Sequence, residues 1–174
     1  MLENDRRSKE KVELLEVYTD GSSKSMGAMR FGGWGYMVIQ HDKCIHADMG
    51  SEYMASNQRM ELFAVLKALE YAGSIRRPSE KVILYSDSAY FINCYNQGWY
   101  HKWLVNEWTN SKGDDVANRD LWERIIPFFD RFWYTFVKVK GHANVYWNEQ
   151  CDELAQSSAD LLKRGWKGLK NYGK

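Results

Sequence analysis

Long apolar runs are absent from this sequence. No stretch of 18 apolar residues occurs, so nothing in it reads as a membrane-spanning helix. The first residues, MLENDRRSKEKVE, are charged and lack the apolar segment of a secretory leader; they read as a short solvated arm over residues 1–13. Cysteine is scarce. Cys44, Cys94 and Cys151 are odd in number, far apart and without zinc-ligand or CxxC spacing, which excludes a disulfide framework and a thiolate metal site. Buried free thiols in a reducing cytoplasm are the expectation. Internal repeats and low-complexity segments are also missing. What remains is a 174-residue chain, 44% hydrophobic and with eight Trp, of a length that suits one domain with a sizeable core.

Net charge is small, at +1, but unevenly placed. Residues 163–174, KRGWKGLKNYGK, hold five Lys or Arg and no acid, which leaves 19 basic against 23 acidic residues in 1–162. A basic tail on a slightly acidic body can contact phosphate. It can equally be a disordered, solubilising end.

The pattern along the chain is strands first, then strands alternating with helices. LLEVYTD (14–20) reads as a strand ended by the turn signal Asp20-Gly21-Ser22. Residues 32–53 read as two antiparallel strands turning near His41-Asp42-Lys43. A helix is expected over 57–73, a buried strand over 81–87 (KVILYSD) and a helix over 88–98. A Trp-rich polar segment fills 99–117. A helix over 118–129, a strand over 133–139 and a final helix over 147–163 follow. That order predicts an α/β fold, a mixed sheet flanked by helices.

Four carboxylates stand out. The strands 14–20 and 81–87 both end in aspartate. If they lie parallel and adjacent, Asp20 and Asp87 meet at the sheet edge where α/β proteins bind ligands. The alternative is that each simply begins a turn or caps a helix. In NQRMELFAVLKALEYA, stepping about 100° per residue puts Arg59, Lys67 and Glu70 on one solvated face. Glu61 points the other way, in line with Val65, Ala68 and Ala72. A buried carboxylate needs a partner or a cation, so Glu61 faces either a structural arginine or a metal. In the last helix the apolar side runs through Trp147, Cys151, Leu154, Ala155 and Leu162. Glu149, Glu153 and Asp160 fall on the far side, in solvent. Asp152 sits on the shoulder, next to Asn148, and reads either as a functional acid or as a boundary residue in water. Four converging acids would repel unless hard cations neutralised them, and oxygen-only ligands suit Mg²⁺ or Mn²⁺. Two such ions about 4 Å apart form the clamp of phosphoryl-transfer enzymes.

The motifs YTDGS (18–22), NQRMEL (57–62), YSDSAY (85–90), VKGHAN (139–144) and NEQCDELA (148–155) together resemble type 1 ribonuclease H, in order and spacing, from about residue 14 to 160. The resemblance implies the ribonuclease H-like fold, a five-stranded mixed sheet with helices on both faces, as a catalytic domain over 14–162. It implies endonucleolytic hydrolysis of the RNA strand of an RNA–DNA hybrid by a metal-activated water, leaving 5′-phosphate and 3′-hydroxyl ends. Asp20, Glu61, Asp87 and Asp152 match the family's metal-binding carboxylates, and His142 its proton-transfer or product-release histidine. Asn57 and Gln58 match minor-groove contacts; Ser56 and Arg59 lie near phosphate-contacting and site-supporting positions, and Asn148 is grouped with the substrate-binding set. WYHKWLVNEWTNSKGDDVANRDLW resembles the family's handle, at about 99–117, with Trp99 and Trp103 at its DNA-facing positions and Trp108 packing it. The implied cofactors are two Mg²⁺ ions, with Mn²⁺ as a substitute; a monomer is the default for a domain of this size, and the cysteine usage suggests the cytoplasm.

Three departures are visible. Lys102 and Lys112 of the handle are offset by Glu107, Asp114 and Asp115. The loop SSKSMGAMRFGG lacks the Asn-Pro-Gly-Pro run of many bacterial members, and Ala89 stands where many have Gln. An inactive hybrid-binding module, a DNA nuclease of the same fold, and a non-nuclease protein with a structural Mg²⁺ or Ca²⁺ site are the competing readings. The intact carboxylate set argues against the first. NQRMEL, VKGHAN and the handle argue against the second.

Overall fold

A computed structural model describes residues 13–140 and 146–172, the latter with side chains to Lys167. Five strands form one mixed sheet in the order β3-β2-β1-β4-β5. β1 (Leu14–Met26), β2 (Met29–Gln40) and β3 (Lys43–Tyr53) make an antiparallel meander. β4 (Lys81–Ser86) and β5 (Tyr134–Lys138) add in parallel beyond β1. α1 (Asn57–Ile75) crosses from β3 to β4, and α2 (Ala89–Gln97), α3 (Trp99–Val105) and α4 (Arg119–Ile125) lie between β4 and β5. α5 (Tyr146–Tyr172) follows β5. Among the described residues no helix is long and apolar enough to cross a membrane.

The two faces of the sheet are buried unequally. Leu15, Val17, Val82, Leu84 and Phe136 point toward α1, whose Leu62, Val65, Leu66 and Leu69 are fully buried against them in the main core. The α2–α4 segment joins the same core through Phe91, Trp103 and Trp122. The opposite face carries a thinner cluster of Tyr18, Ile39 and Cys151, edged by Met37, Tyr85 and Trp147. There α5 approaches β2 so closely that a Cβ on Gly33 would stand 2.1 Å from the Ala155 carbonyl oxygen.

Several elements differ from expectation, each for an identifiable reason. β1 does not turn at Asp20-Gly21-Ser22. It stays paired with β2 as far as Met26, and the turn falls at Gly27, whose φ is +61°. Gly21 serves close approach instead: a Cβ there would lie 2.2 Å from the Glu61 backbone nitrogen. The turn after β2 is where expected; His41 and Asp42 adopt positive φ (51° and 59°), as a two-residue hairpin turn demands. α4 stops at Ile125 and continues only as a 3-10 turn over Ile126–Phe128, because Pro127 cannot donate the next helical hydrogen bond. α5 runs on to Tyr172, through the expected boundary at 162/163. Cys44 is exposed, unlike Cys94 and Cys151, because β3 is an edge strand. Asp160, expected only in solvent, pairs with Lys24 of β1 at 2.6 Å.

Candidate active site

β1 and β4 are parallel neighbours, with Thr19 opposite Ser86. The next residue in each segment is an aspartate, so Asp20, still within β1, and Asp87, just past the end of β4, lie side by side at the C-terminal end of β4. The close contact of Gly21 with the first turn of α1 brings Glu61 to the same edge. On the other face the Cys151 thiol donates to the Tyr18 carbonyl at 3.2 Å, which sets α5 against β1 and places Asp152 beside Asp20. Three different contacts thus bring four acids from four elements to one edge.

Their mutual field is strong. Asp20 is 8% exposed. Burial, followed by the Asp87 charge and then those of Asp152 and Glu61, pushes its carboxyl up to about 8, against one N–H donated by Gly21 at 2.7 Å. Glu61 is also shifted upward, by burial and Asp87, while hydrogen bonds from Ser88 and Asn57 oppose the shift. The Asn57 amide donates to Glu61 Oε1 at 2.7 Å. Asp152 accepts at both oxygens from the Gln156 amide, 2.8 Å each.

The donors are carboxylate oxygens only, the set that hard divalent cations prefer. Among the described residues no cationic side chain acts on Asp20 or Glu61 to offset their repulsion. The donor chemistry therefore fits a divalent ion. As placed, though, the side chains share a field rather than a coordination shell: among the described residues no three His, Cys, Asp or Glu side chains are gathered about one point. His142 lies outside the described residues.

The first turn of α1 presents the NQRMEL motif. Ser56 is the N-cap, its hydroxyl accepting from the Arg59 N–H at 3.2 Å. Asn57 and Gln58 are exposed. Arg59 is half-buried and engaged by carboxylates from two other elements. Its Nε donates to Glu52 on β3 at 2.7 Å, and its Nη atoms donate to Asp120 of α4 at 3.0 and 2.9 Å. A guanidinium shared by two carboxylates is a brace, and it joins β3, α1 and α4 around the site. Glu52 and Asp120 were not foreseen. Asp120 carries only a local signal, an acid in the first turn of a helix; Glu52 carries none, because the pairing is tertiary.

Beside this turn opens a cleft of about 490 Å³, walled by Gln58, Tyr90, Trp99, Lys102, Trp103 and Asn106 among others. Gln58 links it to the carboxylate edge. Trp99 is partly exposed there, and its indole N–H donates to Gln97 at 3.0 Å. Trp103 is 6% exposed, edge-on to Trp122 and tilted against Trp108, so it packs in the core while also lining the cleft. Asn148 is 4% exposed, and its Oδ1 has no hydrogen-bond partner among the described residues.

Comparison with known proteins decides the family. The RNase H family model matches residues 12–160. The chain belongs to the RNase H family. Ribonuclease H of Syntrophomonas wolfei is 44% identical over 148 residues, covering 84% of this chain and 96% of that protein. Ribonuclease H of Moorella thermoacetica is 39% identical over 86% of this chain and 94% of its own length. Among solved structures, a type 1 RNase H with the type 2 active-site motif superimposes with a TM-score of 0.72 at 25% identity, over 86% of this chain and 73% of that one. A foamy viral protease-reverse transcriptase in complex with RNA/DNA hybrid gives a TM-score of 0.74 at 20% identity. It covers 91% of this chain but only 22% of the viral one, and shares the fold. The RNase H match ends at residue 160, twelve residues before α5 does.

Proposed function

We propose that this chain hydrolyses the RNA strand of RNA–DNA hybrids. The observation that carries the proposal is the convergence of Asp20, Glu61, Asp87 and Asp152 on one sheet edge, in a chain that matches the RNase H family along most of its length. Members of this family generally work with divalent metal ions. In our reading Asp20, Glu61, Asp87 and Asp152 hold two Mg²⁺ ions, for which Mn²⁺ can substitute. When bound, such ions supply positive charge to the scissile phosphate and make water a nucleophile near neutral pH.

The chain's own residues position the substrate. Asn57 and Gln58, exposed on the first turn of α1, face the minor groove, where ribose 2′-hydroxyls distinguish RNA from DNA. Asn57 also orients Glu61 through its 2.7 Å hydrogen bond. The N-cap Ser56 fixes that turn, and the Arg59 brace holds it against β3 and α4. Trp99 and Lys102 offer the DNA strand an aromatic face and a cation along the cleft wall. The oxygen leaving the RNA takes up a proton, a role we assign to His142. The products carry 5′-phosphate and 3′-hydroxyl ends.

The test uses labelled RNA–DNA hybrid, duplex DNA and duplex RNA, each with Mg²⁺ or EDTA. Only the RNA of the hybrid should be cut. EDTA or Asp87→Asn should lower the rate at least 1,000-fold, about 4 kcal/mol of barrier, while hybrid binding persists. Cutting of duplex DNA, or full activity of Asp87→Asn, would overturn the assignment.

A further inference from the structure

α5 runs alongside β1 in the same direction. Cys151 lies at Tyr18, and nine residues later Asp160 pairs with Lys24. β1 passes the carboxylate edge at Asp20 and continues into its hairpin with β2. α5 therefore passes the active site as well, crosses the sheet from β1 toward β3, and brings its last turns to the end of β3. These turns lie outside the family match, which ends at residue 160. An aromatic pair ties them down: Trp166 meets Tyr53 at the end of β3 edge-on, with centroids 6.0 Å apart.

These last turns are basic: residues 163–172 hold four Lys or Arg and no acid. Arg164 and Lys167 are exposed and Lys163 is partly so. Among the described residues none of the three is in an ion pair. Asp160, the nearest acid along the helix, pairs with Lys24 and feels the charges of Arg164 and Lys163 without an ion pair to either. By contrast the handle carries Lys102 and Lys112 against Glu107, Asp114 and Asp115, and so brings little net attraction for a polyanion. At about 1.5 Å of rise per residue, Lys163–Lys167 lie roughly 17–23 Å along the helix from Asp152. That is the span of about five to seven backbone phosphates.

We propose that the last turns of α5 form a phosphate-binding arm that grips the hybrid duplex outside the catalytic edge. The arm rests on the hybrid as substrate and adds a second, sequence-independent hold on it. It supplies attraction and salt dependence and takes no part in the chemical step.

The experiment compares the full chain with a neutralised variant (Lys163→Gln, Arg164→Gln, Lys167→Gln) and a charge-preserving one (Lys163→Arg, Arg164→Lys, Lys167→Arg). Binding to a 24-base-pair hybrid is measured without cleavage, in EDTA, from 50 to 200 mM salt, and steady-state cleavage is measured in Mg²⁺. The neutralised variant should raise KM about tenfold at 150 mM salt with kcat unchanged. Its slope of log Kd against log salt should fall by about two to three, near 0.9 for each phosphate no longer neutralised. The charge-preserving variant should keep the parent slope. An unchanged slope and KM in the neutralised variant would overturn the arm. So would parent-like hybrid binding combined with loss of binding to phosphatidylserine vesicles, which would make it a membrane contact. The binding half of the experiment needs no turnover, so a full chain that bound hybrid through these charges yet cut nothing would refute the nuclease reading and leave this one standing.

Discussion

Asp20 carries a conflict that its sequence neighbours do not reveal. In YTDGS it looks like a turn former; in the fold it is buried inside a strand with three other acids around it. Without divalent ions its carboxyl holds a proton up to about pH 8, whereas the unfolded chain releases that proton near 3.8. The folded state thus binds the extra proton between those values, and metal-free stability falls as pH rises through that window. In EDTA the melting temperature of the parent should drop more steeply from pH 5 to pH 8 than that of Asp20→Asn. Divalent ions should restore the parent most at the alkaline end. Identical pH slopes for the two proteins would remove the electrostatic basis of the site. Of the four acids only Glu61 stood against its local pattern; Asp20 and Asp87 read equally as turn and cap residues and Asp152 as a boundary residue, so periodicity left them open. Arg59 was legible only in part. A wheel gives its direction but not its partners, and Glu52 and Asp120 reach it from elements distant in sequence.

At the scale of elements, strand and helix identities followed from periodicity, and the errors were at ends, where tertiary contacts decide. β1 outran its apparent stop because β2 went on pairing with it, and α4 ended early at a proline. The handle resisted reading because its tryptophans serve both core and cleft. Trp122 is fully buried and Trp99 only partly, although their local sequences are similarly polar. The α5–β2 contact gives a test at this level. Gly33→Ala puts a methyl 2.1 Å from a backbone oxygen of α5, which cannot yield as a side chain would. The cost should be about 2–3 kcal/mol, read from the denaturant midpoint. Cleavage should fall as well, by up to about 100-fold, because Asp152 rides on the displaced helix. Gly165→Ala, in the same helix with nothing within 4 Å, should instead stabilise by about 0.5–1 kcal/mol. Equal effects from the two substitutions would mean that α5 is not seated on the sheet glycines.

For the molecule as a whole, strands first and then alternation implied a mixed sheet, but not the order β3-β2-β1-β4-β5, and the pairing of β1 with β4 had to be assumed from the sequence. That one adjacency brings Asp20 and Asp87 together, and the family resemblance supplied what periodicity could not. The unequal cores on the two sides of the sheet have a consequence for the order in which the protein loosens. α1 is anchored by a broad apolar layer; α5 is held by a small cluster, tight glycine contacts and the Lys24–Asp160 ion pair. Amide exchange should therefore reach α5 well before α1, at a lower opening free energy. If the two helices exchanged together, the layers would be equally firm. If α5 peels first, each brief opening withdraws one carboxylate and leaves three in place, so the enzyme would fall silent long before it unfolds.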